Sequence, residues 1–200
     1  MADDIFYLLE ELGDANNQKL CFLDNFVDSI AAESWRVHMG EPLAPVYPPS
    51  ACIFLTGEES GIKLSSFVGN AKSMFLVSSG LRDLIAEYVT KNIEYLPVTI
   101  CDHRKRPLGR DYFIVNPLGA IDCLDLKKSR VMYSKKDPAK IVQVRDYVLD
   151  RKKVKDAPQL FRLEHSRATY VIGPALARAI QARKDITNVK WDELPFSDGK

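Results

Sequence analysis

Residues 73–92, SMFLVSSGLRDLIAEYVTKN, contain a change of hydrophobic period. The run Met74, Phe75, Leu76 and Val77 is continuously apolar, as a short strand buried on both faces would be. Leu81, Leu84, Ile85, Tyr88 and Val89 then recur at i, i+3, i+4, i+7 and i+8, which is one apolar face of a helix. Ser78 stands at the junction as an N-cap. The same layout returns at 168–183, ATYVIGPALARAIQAR. There Tyr170, Val171 and Ile172 read as a strand, and Gly173 and Pro174 fill the cap and first helical positions. Leu176, Ala179 and Ile180 follow at helical spacing. Setting Phe75 against Tyr170 pairs Ser78 with Gly173, Leu81 with Leu176 and Ile85 with Ile180. A further apolar run follows each copy, EYLPVTI and TNVKW. The pattern fits two similar strand–helix halves, and equally one supersecondary unit used twice.

Working outward, DIFYLLEEL (4–12) reads as a strand running into a turn at Gly13. Residues 14–34 are weakly patterned, with a short helix at NFVDSIAAESW as one option. Residues 34–50, SWRVHMGEPLAPVYPPS, read as extended, because four prolines between 42 and 49 exclude regular helix or central strand there. ACIFLTG and GIKLSSF are β-like runs on either side of the polar GEES. IEYLPVTICD, DYFIVNPL, RVMYS, RDYVLD and the alternating QLFRL read as further strands, with DHRKRPLGR as an exposed turn between the first two. Many short strands with few helices predict an α+β fold, a mixed or antiparallel sheet with a few packed helices. No low-complexity linker divides the chain, so residues 1–200 read as a single domain.

Composition narrows the functional classes. The chain is 46% hydrophobic and 28% charged, close to globular averages. The opening MADDIFYLLEELG carries acids where a secretory leader needs bases, and no apolar run approaches the ~20 residues of a membrane span. The reading is a soluble cytoplasmic protein that does not enter a membrane. Cys21, Cys52, Cys101 and Cys123 form no C-x-x-C pair and lie in apolar runs, so they read as free buried thiols. His38, His103 and His165 are dispersed, which leaves no zinc spacing. No metal or cofactor is expected. Net charge is +1, but residues 1–60 carry eleven acids against two bases, while residues 101–160 carry fifteen bases against eight acids. An acidic side and a basic side are expected, and such fields steer partners.

Residues 111–129, DYFIVNPLGAIDCLDLKKS, raise the question of catalysis through Asp111, Asp122 and Asp125. Spacing of three places Asp122 and Asp125 on one helical turn, which suits a metal more than a glycosidic bond. A metal needs further ligands, and no matching acidic or His pair follows. In the architectural account, Asn116 before Pro117 holds the backbone extended, and the aspartates cap the turn back towards Lys127, Lys128 or Arg130. No G-x-S-x-G elbow, Walker loop or G-x-G-x-x-G is present. HRKRPLGRDYF sets bases beside aromatics, as single-strand binders do, but acids interrupt the basic runs and the pI is about 7.6. A compact chain with asymmetric charge and no complete catalytic set fits a binding protein.

Five ordered segments carry a family resemblance: IFYLLEE; WRVHMGEPL, with Trp35, Gly40 and Pro42; MFLVSSGLRDLI; YFIVNPLGAIDCLDLKKS, with Asn116, Pro117, Asp122, Asp125 and Ser129; and LFRLEHSRATYVIGPALARAI, with Phe161. Together they resemble the immunity protein eleven family of bacterial polymorphic toxin systems. Gly173-Pro174 stands where that family more usually has Val-Ser. The resemblance implies that Trp35, Gly40, Asn116, Pro117, Asp122, Asp125, Ser129 and Phe161 are framework, and it supplies no catalytic residue. It implies a protein that binds and neutralises a cognate secreted toxin without catalysis, and it leaves homo-oligomerisation open. Glu58 and Glu59 are candidate contacts for a basic toxin, and Arg104, Lys105 and Arg106 for an acidic one. Two other readings compete: a hydrolytic detoxifying enzyme using Asp122 and Asp125, and a nucleic-acid-binding regulator using the basic segment 103–155.

Overall fold

The computed structural model describes residues 5–55 and 61–197. The fold is α+β, with two four-stranded sheets and two small two-stranded ones among the described residues. The first large sheet contains β1 (Phe6–Leu9), and the second contains β2 (Cys52–Phe54). A short helix α1 (Ser34–Met39) lies between these strands in sequence. Next come β3 (Phe75–Ser78), α2 (Ser79–Tyr88), β4 (Ile93–Cys101) and β5 (Pro107–Pro117). Two small strands β6 (Arg130–Tyr133) and β7 (Ile141–Asp146) follow, then β8 (Leu149–Asp150). The chain ends with β9 (Leu160–Leu163), β10 (Ser166–Ile172), α3 (Pro174–Gln181), β11 (Trp191–Leu194) and β12 (Phe196–Ser197). Strand orders are β11-β1-β10-β9, entirely antiparallel, and β2-β4-β5-β3, in which only the β2–β4 pair is parallel.

The two strand–helix units of the sequence are β3–α2 and β10–α3. Each strand enters a different large sheet, and both helices bury their apolar faces in one shared core. Leu81, Leu84 and Ile85 of α2 meet Leu176, Ala177 and Ile180 of α3 there, and the Phe75 and Tyr170 rings lie 5.4 Å apart. The units differ in one respect. The strand β10 lies inside its sheet, whereas β3 is an edge.

Both large sheets are covered on both faces, and so the short strands β3 and β10 carry apolar residues on both sides. On β3, Phe75 and Val77 point into the shared core while Leu76 points the other way. On β10, Tyr170 and Ile172 enter the shared core and Val171 the opposite one. Residues 20–43 cover the outer face of the second sheet through Leu23, Val27, Val37 and Leu43. Residues 121–157 cover the outer face of the first through Cys123, Leu124, Val144, Leu149 and Val154. The layers therefore run from an acid-rich segment, through two sheets with helices between them, to a basic segment.

Several sequence expectations change. Residues 34–39 are helical, not extended, and the prolines begin only after the helix has ended. Gly40, at φ +67°, caps it: the Glu41 N–H donates to the Arg36 carbonyl and the Gly40 N–H to that of Val37. Among the described residues, ACIFLTG and GIKLSSF do not pair with each other. Instead β2 runs parallel to β4, and residues 61–67 make isolated bridges from Lys63 to Leu20 and from Phe67 to Val77. The strand expected at RDYVLD is split between β7 and β8. QLFRL does not alternate between core and solvent, since all four residues of β9 are buried.

Arg162 explains the last point. Its side chain is fully buried, and it joins the two large sheets. Nε donates to the Pro117 carbonyl at 3.0 Å and Nη1 to the Arg167 carbonyl at 2.8 Å. Nη2 donates to Asn116 Oδ1 at 3.1 Å and to the Tyr170 hydroxyl at 2.9 Å. Tyr170 in turn donates to the Ser73 carbonyl at 2.8 Å. Asn116 Nδ2 donates to the Glu41 carbonyl and to Glu94 Oε2. The Glu94 carboxylate also accepts the N–H groups of Leu43 and Ala44. A Cβ on Gly40 would stand 2.7 Å from the Gly119 carbonyl oxygen and 3.0 Å from Arg162 Cδ, so glycine is required there for space as well as for φ. Near this node, burial raises the Glu11 carboxyl above its ordinary range, opposed by the Ser73 hydrogen bond and by the charges of Arg162 and His38.

Removing this guanidinium leaves several buried acceptors without donors. Arg162→Met is expected to cost about 3 kcal/mol or more of folding stability. Denaturant unfolding checks this, and a midpoint equal to wild type would show that the node does not hold the sheets together.

Candidate functional site

The acidic segment 111–129 is built into the fold by backbone pairing. Ile121 bridges to Leu163 and Leu124 to Leu149, so the two aspartates lie on extended chain and not on a helical turn. Asp125 closes a turn: its Oδ1 accepts the N–H groups of Lys127 at 3.0 Å and Lys128 at 3.2 Å, and its carbonyl accepts that of Ser129. The Ser197 hydroxyl, and then these N–H groups, hold the Asp125 carboxyl below the usual carboxylate range. Ser129 is buried and receives the Val148 N–H on its Oγ at 3.0 Å. The expectation that both aspartates face Lys127, Lys128 or Arg130 holds for Asp125 alone. Asp122 is half exposed and pairs instead with Lys153 Nζ at 3.0 Å, with His165 Nε2 at 3.6 Å.

The other motif residues occupy different places. Gly40, Asn116 and Pro117 belong to the Arg162 node. Phe161 packs edge-on against Phe6 at 6.1 Å in the core beneath the basic segment. Trp35 is exposed, 47% of it open to solvent, with the Arg36 guanidinium 4.9 Å from its ring. The sequence pattern does not single out Arg162, although it lies inside QLFRL. An arginine flanked by apolar residues in a short strand was the available signal. Cys21, Cys101 and Cys123 are free and buried, and Cys52 is free but only half-buried. Burial pushes the Cys21 and Cys123 thiols up to about 12.

The basic candidates differ in how they are held. Residues 102–106 form the tip between β4 and β5. Asp102 Oδ1 accepts the N–H groups of Arg104 and Arg106, each at 2.8 Å, and Oδ2 accepts Arg106 Nε at 2.8 Å. Those donors, the Arg106 N–H first, hold the Asp102 carboxyl below its ordinary range. Arg106 is therefore partly committed to Asp102, while Arg104 and Lys105 stand exposed on a turn that Asp102 closes. Glu58 and Glu59 lie outside the described residues. A cavity of about 300 Å³ opens between Phe6, Val154, Pro174 and Phe196. Its ionisable lining groups are Arg151 and Lys155, and the Arg151 guanidinium stacks 4.2 Å from the Phe196 ring. The lining supplies positive charge and apolar surface, with no carboxylate to act as a base.

Among the described residues, no three His, Cys, Asp or Glu side chains gather as a metal site would require. No described helix is long and apolar enough to cross a membrane. The geometry presents charged loops and outer segments on a frame of two four-stranded sheets. The family model described as "Immunity protein family (Imm11)" matches residues 39–195, and the chain belongs to that family. A search of curated proteins finds no match. The matched span contains Gly40, Asn116, Pro117, Arg162 and Tyr170 of the central node, while Trp35 falls before it.

The two aspartates give separable expectations. Asp122→Asn changes only an exposed pair and should shift stability by less than about 0.5 kcal/mol. Asp125 has a depressed folded-state pKa. Its contribution is therefore present above the unfolded value near 3.9 and is lost as pH falls through the lower folded value. Asp125→Asn should lower stability at neutral pH and flatten the acid limb of the stability profile below about pH 4. Unfolding midpoints measured from pH 7 to pH 3 check both, and an unchanged acid limb would remove Asp125 from this role.

Proposed function

We propose that this chain is a cytoplasmic immunity protein, working as one domain, that binds a cognate toxin and blocks it by occupying its surface. Family membership across residues 39–195 carries this reading. Two structural observations support it. Asp125 closes a turn and Asp122 pairs with a lysine and a histidine, so the two aspartates have separate partners and do not face one site as a pair. The acid-rich and basic segments also cover opposite outer faces, an arrangement suited to steering a charged protein partner.

A blocker must bind before damage is done. Nanomolar affinity corresponds to about −12 kcal/mol. Opposite charge raises the association rate, and a few desolvated anchors slow release. The Asp102-closed tip carrying Arg104 and Lys105 is one proposed contact for an acidic toxin surface. Glu58 and Glu59 are proposed contacts for a basic one.

Co-expression of this chain with the toxin encoded beside it, in a susceptible bacterial host, tests the reading. Growth should be restored and the two chains should co-purify. Asp122→Asn should protect as well as wild type. A toxin neutralised without ever forming a complex, with protection lost in Asp122→Asn, would replace binding by chemistry.

A further inference from the structure

We infer that the β6–β7 hairpin is a docking finger that enters an acidic cleft on the partner protein. This rests on the binding role proposed above and names the surface that performs it. The two strands form a sheet of their own. One face is anchored: Val144 is buried in the core beneath the basic segment, and Val131 and Ile141 pack against it. Beyond that anchor the hairpin leaves apolar side chains in solvent. Met132 is 44% exposed, Tyr133 49% and Val142 63%. Among the described residues only nine large apolar side chains are exposed, and three of them lie on this hairpin, so the exposure is a local property.

The register shows where these side chains point. Val131 pairs with Val144 and Tyr133 with Ile141, so Tyr133 continues the anchored face past the edge of the core. Met132 pairs with Gln143 on the opposite face. The register shifts make Val142 and Arg145 the extra residues of two bulges on β7. Apolar groups on both faces fit insertion between two walls better than contact with one plane. Bulges and lysines oppose pairing of the strand edges with a foreign strand, so side chains make the contact, not backbone ladders.

The tip is preorganised. Ser134 Oγ accepts the N–H groups of Lys136 and Asp137, Asp137 Oδ1 accepts that of Ala139, and the Ser134 N–H donates to the Lys140 carbonyl. A loop already ordered loses less entropy on binding. Charge selects the occupant. Residues 127–155 carry eleven bases and three acids. Around the exposed apolar groups stand Arg130, Lys135, Lys136, Lys140 and Arg145, all exposed. The nearby acids are partly engaged, Asp137 in the tip and Asp146 at 4.0 Å from Arg130. A methionine, a tyrosine and a valine inside a cationic rim match an acidic protein cleft with apolar walls. A phosphate backbone would use the rim and leave the apolar groups wet.

The test uses the toxin that co-purifies with the full chain, with binding rates measured at several salt concentrations. Tyr133→Ala should weaken binding about 30-fold, mainly through faster dissociation. The triple variant Lys135→Glu, Lys136→Glu, Lys140→Glu should slow association at least about tenfold and flatten its salt dependence. Both should keep the wild-type melting temperature, since all four side chains are exposed. Should a variant misfold, hydrogen exchange on the wild-type complex should still show new protection at residues 130–146, and its absence there would overturn the finger. Variants that bind like wild type would also overturn it. Wild type that binds a 20-base-pair DNA duplex or phosphatidylserine vesicles more tightly than the toxin, with the same losses in the variants, would overturn the protein assignment. A wild-type chain that never binds the toxin would instead overturn the proposed function.

Discussion

One buried guanidinium sets the geometry of this protein. Arg162 belongs to β9 of the first sheet, yet its donors end on Asn116 and Pro117 at the close of β5 in the second. A buried charge is costly unless its hydrogen bonds are met, and here carbonyls, an amide and a phenol meet them. Because these acceptors come from distant parts of the chain, the sheets can sit in only one relation if all are to be satisfied. Glu94 adds negative charge one residue removed, through the Asn116 amide, and also holds the N–H groups of Leu43 and Ala44. The node thus fixes the segment after α1 as well as the two sheets. Gly40 closes the ring because only a residue without Cβ fits beside Arg162 and Gly119.

From that constraint the layering follows. With the sheets held, α2 and α3 fill the space between them, and two outer faces remain. The acid-rich segment covers one and the basic segment the other. Asp24, Asp28, Glu33 and Glu41 against Arg36 on one side, and the bases of 127–155 on the other, carry part of the chain's charge asymmetry into the molecule. Under the binding role proposed above, such long-range fields orient the encounter before any contact forms.

The aspartate segment shows how one motif supports two readings until its neighbours are known. Acids three apart suggest shared ligation on a helix. Extended backbone separates them, and each finds its own partner, Asp125 the N–H groups of its turn and Asp122 a lysine and a histidine. In this chain Asp125 serves turn chemistry. Phe161 likewise marks a core position, while the arginine beside it holds the sheets together.

Local pattern determined much of this protein from the sequence alone. The strand–helix units at 73–92 and 168–183 announced themselves because a change from continuous to 3.6-residue periodicity needs no partner to be visible. The Asn-Pro end of β5, the Gly-Pro start of α3 and the free cysteines were equally local. Helix α1 was not legible, since six residues with prolines close behind carry too little periodicity, and its cap at Gly40 is a matter of backbone angle. The parallel pairing of β2 with β4, the partners of Arg162 and the solvent exposure of Met132, Tyr133 and Val142 were decided only in three dimensions. Each depends on residues far apart in the chain, and a hydrogen bond or a burial between such residues leaves no trace in the order of either segment.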